Sequence, residues 1–115
     1  MTKSAVEIAT EALRHIGVAD IEDTPDAADI SRTTAHFTAL HELLSDTEEL
    51  APTWTTAKVP EALFIPVSIM LAGTICGGYS KPEYIPEYKR GLGMVRDYEL
   101  NQSKVDNRPV PALYF

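Results

Sequence analysis

The longest apolar run in the chain, residues 59–78 (VPEALFIPVSIMLAGTICGG), carries no charge after Glu61. Within it, Val67, Met70, Leu71, Thr74 and Ile75 recur at i, i+3, i+4, i+7 and i+8, which is helical spacing. Ile65, Ile69 and Ala72 lie off that stripe, so the helix is apolar on most sides. A helix of this kind is buried in a bundle or in a membrane. Residues 62–76 fall short of the ~20 apolar residues that a span requires, and they include Pro66 and Ser68. The pattern therefore predicts a central core helix, opened by Pro60 and stopped at Gly77-Gly78. An interior proline costs about 3 kcal/mol, so Pro66 argues for a late start near Phe64, after a short turn.

The flanking segments read as further helices. Ser4-Ala5-Val6-Glu7 matches a capping box, with Ala5, Ile8, Ala9, Ala12, Leu13 and Ile16 as the apolar stripe. Gly17 is the stop, with Val18 folding back on Leu13 in a Schellman closure. A second helix starts with Thr24 as cap and Pro25 at the first helical position. Its stripe is Ile30, Thr34, Phe37, Leu40, His41 and Leu44, and its end falls between Asp46 and Leu50. Residues 51–59 (APTWTTAKV) read as a loop with extended character. Pro86 opens a fourth helix, with Tyr84, Tyr88, Leu92, Val95 and Tyr98 near one face. Gly91 and Gly93 within it imply close approach of another helix, from this chain or the next. Beyond it, Pro109 and Pro111 hold residues 105–115 extended. The fold class expected is all-α: a small bundle of about four helices over residues 1–104, followed by an extended C-terminal arm, 105–115.

Composition changes this picture in one respect. The net charge is −7, with no block of Lys or Arg, so the surface repels phosphate and argues against sequence-specific nucleic-acid binding. With 115 residues there is room for one domain with one real core. Cys76 is the sole cysteine, which excludes an internal disulfide. No secretion signal is read at residues 1–13.

Candidate chemistry is thin. His41-Glu42-Leu43-Leu44-Ser45 begins like the zinc-protease helix motif, but Ser45 stands where the second histidine is needed. Glu11 and His15 are spaced as a surface pair, and His36 and His41 point to different faces. Cys76 has apolar surroundings, as a small core residue does. No catalytic residue, cofactor or metal ligand is assigned, and the chain is read as a non-enzyme. The candidate contact residues are Trp54, Arg108, Pro109, Val110, Pro111, Leu113, Tyr114 and Phe115. Trp54 either closes the bundle core or anchors a neighbouring chain. The apolar tip Ala112-Leu113-Tyr114-Phe115 either folds onto its own bundle or docks on a partner.

The layout resembles one family. The first helix ends His15-Ile16-Gly17-Val18, and a long second helix leads to Ala51-Pro52-Thr53-Trp54. Val59-Pro60-Glu61-Ala62-Leu63 then opens an apolar helix that closes on Gly77-Gly78. This is similar to the head–tail adaptor, or head-completion, proteins of tailed bacteriophages, over roughly residues 4–100. The resemblance implies a structural subunit of the virion, assembled in the host cytoplasm into a ring, typically dodecameric. The ring sits beneath the portal protein, extends the DNA channel without binding sequence, and meets a tail component, with no membrane involved. It also implies that an extended terminal arm docks on the portal, with Arg108 as a polar anchor. A reading from another class is a small acidic regulatory protein that binds a protein partner through the same arm.

Overall fold

The computed structural model describes residues 2–19, 25–46, 52 and 54–106, of which 102–106 by backbone alone. The fold is an all-α bundle, with four α-helices among the described residues: α1 (Ala5–His15), α2 (Ala27–Asp46), α3 (Phe64–Ile75) and α4 (Glu87–Asp106). Two short strands, β1 (Thr2–Lys3) and β2 (Val59–Pro60), pair antiparallel. They tie the start of the chain to the entrance of α3. Two residues a side are too short for an alternating pattern, so the sequence gives no sign of this pairing.

Both ends of α1 follow from local chemistry. The Ser4 hydroxyl accepts from the Glu7 amide at 3.3 Å, and the Ser4 amide donates to Glu7 Oε1 at 2.8 Å. At the other end Gly17 takes φ +79°. The Val18 amide reaches the Leu13 carbonyl at 3.0 Å and the Gly17 amide the Arg14 carbonyl at 3.1 Å, which is the Schellman closure.

Helix α2 begins two residues later than Pro25 suggests. The Ile30 amide donates to the Asp26 carbonyl at 3.0 Å, so Asp26 is the half-helical residue. Pro25 is buried ahead of the helix, and Thr24 lies outside the described residues. The inward face carries Thr33, Phe37, Leu40 and Leu44. Thr33 is buried where Thr34 was expected, while the Thr34 hydroxyl bonds the Ser31 carbonyl at 2.9 Å. Neighbouring threonines differ by about 100° around a helix. Only the packing partners decide which of them turns inward.

Helix α3 is the centre. It packs on α1, α2 and α4 and buries Val67, Ser68, Ile69, Met70, Leu71, Ala72 and Ile75. Ser68 satisfies its hydroxyl on the Phe64 carbonyl at 2.6 Å. A 3-10 turn, Glu61–Leu63, precedes it, so Pro66 falls in the first turn, where its missing N–H leaves no bond unmade. Two expectations are corrected. Thr74, placed on the core stripe, is exposed, as is Ile65. Gly77-Gly78 does not stop the winding, which continues as a 3-10 turn, Cys76–Tyr79, and ends at Ser80 with φ +58°. Lys81 then closes on the Cys76 carbonyl at 3.0 Å, so serine occupies the left-handed position that glycine usually fills. The continuous stretch Glu61–Tyr79 is thereby 19 residues long, with a mean hydropathy of 1.7. By length and composition it could cross a membrane, beyond what the shorter run 62–76 suggested. In the bundle, half of that stretch is buried against the other helices.

Helix α4 runs antiparallel to α3: Gly73 of α3 abuts Tyr88, and Gly91 of α4 abuts Pro66 and Met70. A Cβ on Gly73 would stand 2.5 Å from the Tyr88 nitrogen, and one on Gly91 2.6 Å from the Pro66 oxygen. These glycines are reciprocal notches that let the helices meet backbone to backbone. Gly93 faces open space and makes no such approach within this chain. Leu92 and Val95 complete the core, with Tyr84, Tyr88 and Tyr98 packed at its edge. Because α4 runs through Asp106, Val105 and Asp106 belong to the helix and not to the arm.

Candidate functional site

Outside the apolar core, polar side chains among the described residues bond across seams between elements. At the first, Trp54 sits in the loop before β2, 6% exposed. Its indole Nε1 donates to Glu99 Oε2 of α4 at 2.9 Å. His41 of α2 bonds the Trp54 carbonyl through Nε2 at 2.8 Å, with the two rings edge to face at 5.0 Å. A carbonyl only accepts, so Nε2 carries the hydrogen. One residue thus joins the loop to α2 and to α4.

At the second seam His15, the last residue of α1, bonds Glu87 Oε1 at the start of α4 at 3.2 Å. Arg90 donates to the same oxygen, and the His15 ring meets Tyr84 edge to face. At the third, the Tyr79 hydroxyl donates to Asp29 Oδ1 at 2.8 Å while the Arg32 guanidinium lies over the Tyr79 ring at 4.9 Å. Burial, and then the hydrogen bond to Asp29, hold the Tyr79 hydroxyl above its ordinary pKa.

These seams account for two of the three histidines, and His36 is exposed on α2. His15 pairs with Glu87 and not with Glu11, and His41 is spent on Trp54. Cys76 is fully buried, its thiol on the Gly73 carbonyl at 3.4 Å. Among the described residues, no group of three His, Cys, Asp or Glu is placed to hold a metal ion.

The predicted contact residues separate into two sets. Trp54 is packed into its own bundle, in the core cluster of this chain. Arg108, Pro109, Val110, Pro111, Leu113, Tyr114 and Phe115 lie outside the described residues. The seam partners Glu99, Asp29 and Glu87 were not anticipated. They bond side chains 45, 50 and 72 positions away, a distance at which sequence spacing carries no signal.

Among the described residues, two hollows can be placed on the exterior. One is an apolar groove of about 270 Å³ between α2 and α3, lined by His36, Ala39, Leu40, Leu43 and Thr74. The other, about 200 Å³, lies on α1 beside Phe64 and has the charged rim Glu7, Glu11 and Arg14. Comparison of the chain with protein-family models, with curated proteins and with solved structures returns no match.

Proposed function

We propose that this chain is a structural subunit of the head–tail adaptor type, one of a ring that sits beneath a portal, extends its DNA channel and offers a surface to a tail component. The observation that carries the reading is that three of the stretches in the resemblance supply joints of the bundle. His15-Ile16-Gly17-Val18 closes α1 and bonds α4 through His15. Trp54 ties α2 to α4, and Val59-Pro60 pairs with β1. A second support is mechanical. Glycine notches and the Trp54–Glu99 bond hold α4 at two levels, which gives the helix that precedes residues 107–115 a fixed direction. An extended arm following such a helix would suit docking on a partner. The net charge of −7 suits a channel wall along which DNA slides without sticking.

The test is to mix the purified chain with the portal protein of the same genome and to weigh and image the product. A closed ring of this chain on the portal is expected. A chain that stays monomeric and unbound in the presence of portal would remove the proposal. Truncation after Asp106 should leave the helical circular dichroism and the melting temperature within a few degrees of wild type and abolish ring attachment.

A further inference from the structure

We infer that α2 is a detachable strap of the bundle. It opens as a unit while α1, α3 and α4 stay packed, and the unpartnered hydroxyl of Thr33 sets how readily it does so. The device holds with or without a ring.

Helix α2 is held along one line. Of its 20 residues, Thr33, Phe37, Leu40 and Leu44 are buried, at i, i+4, i+7 and i+11. That is the narrow seam of a coiled coil, not the wider apolar stripe by which a helix of a globular protein sits on its core. Helix α3, with 12 residues, buries seven of them. The other helices are joined more firmly. α3 and α4 meet backbone to backbone at Gly73 and Gly91. Just before α1, β1 pairs with β2, and at its far end His15 bonds Glu87 of α4. Each of these joints can stay closed when α2 lifts.

One of the four seam positions works against the seam. Thr33 is 1% exposed, and among the described residues its hydroxyl is the buried side-chain group left without a hydrogen-bond partner. Other threonines of α2 show the ordinary remedy. The Thr34 and Thr38 hydroxyls donate to the Ser31 and Thr34 carbonyls at 2.9 and 3.2 Å. A buried hydroxyl with no such bond gives up its water when the helix closes and regains it when the helix opens. Closure is therefore penalised in the middle of the line. Towards the two ends the links are polar: Tyr79 donates to Asp29, and His41 to the Trp54 carbonyl. Both are part-buried bonds that exchange for bonds to water at modest net cost. With α2 lifted, the surface that Phe37, Leu40 and Leu44 cover becomes a helix-wide apolar slot on the three helices that remain.

Native-state hydrogen exchange of the full-length chain tests this, under conditions where exchange reports the opening equilibrium. The best-protected amides of α2 should share one level of protection, about tenfold or more below the best-protected amides of α3 and α4. Thr33→Val removes the hydroxyl at nearly constant shape and should slow exchange throughout α2 about fivefold. Gly93→Ala lies on an open face of α4 and should slow exchange in α3 and α4. It should leave α2 unchanged, because α4 stays folded when the strap lifts. Equal protection in all four helices overturns the inference. So does slowing of α2 by Gly93→Ala, or an α2 that ignores Thr33→Val.

Discussion

Gly91 of α4 and Met70 of α3 meet where no side chain fits between the helices: a Cβ on Gly91 would lie 2.6 Å from Met70 Cγ and 2.8 Å from the Met70 amide nitrogen. The same Cβ would press on the Pro66 carbonyl, which is backbone and cannot step aside. Gly91→Ala should therefore destabilise the bundle by about 1–3 kcal/mol, the usual cost of overpacking. Gly93, two positions on, meets nothing within 4 Å. There the same substitution should stabilise by up to about 1 kcal/mol, through helix propensity alone. Urea melts of the two variants check the opposite signs.

Trp54 and Glu99 make a second prediction. Glu99→Ala leaves a nearly buried indole N–H without its acceptor and should cost about 1–3 kcal/mol. Glu99→Gln keeps an acceptor oxygen and should recover most of that loss. Trp54 is the only tryptophan, so its fluorescence reports directly on the seam. A Glu99→Ala melt that superimposes on wild type would show that the bond contributes nothing.

The capping box gives an acid-side prediction. The Ser4 backbone N–H, bonded to Glu7, holds that carboxyl below its ordinary pKa, with the Ser4 hydroxyl and the Lys3 charge adding to the effect. A carboxyl depressed in the folded state binds its proton more readily when unfolded. Its contribution is thus complete above the ordinary carboxylate range and is lost as pH falls through the lowered folded value. Glu7→Gln should flatten that part of the stability profile. Ser4→Ala should cost about 0.5–2 kcal/mol at neutral pH, as loss of an N-cap does.

Tyr79 works at the other end of the scale. Its hydroxyl is held protonated above the ordinary value of 10.0 by burial and by Asp29. The raised value means that its contribution is complete below that pH and lost as pH rises through the folded value. Wild type should lose stability there, and Tyr79→Phe should lose correspondingly less over the same range. The difference in phenolate absorbance between wild type and Tyr79→Phe over the same pH range isolates Tyr79 from the other tyrosines.

Much of this fold was legible because its causes are local. The capping box, the Gly17 closure and the late start of α3 at Pro66 each depend on residues within one helical turn. The core position of α3 was legible because a long uncharged run has nowhere else to go. Other features needed the third dimension. Thr33 and Thr34 are equivalent until α1 and α3 settle which of them is covered. The Gly77-Gly78 stop was read too early because glycine permits a turn without requiring one, and the chain wound on to Ser80. The seams were illegible because Glu99, Asp29 and Glu87 are ordinary charged residues until folding sets Trp54, Tyr79 and His15 beside them. The groove was illegible for a related reason. Ala39, Leu43 and Thr74 form a hollow only because α2 crosses α3 where it does.

Cys76 has a practical use. It is the one thiol in the chain, and it is shut away where α3 tightens into its final turn. A maleimide or iodoacetamide has nothing to attack until that junction comes apart. The speed of alkylation is therefore a built-in stopwatch for the loosening of the central helix, and it should slow when a bound neighbour braces α3.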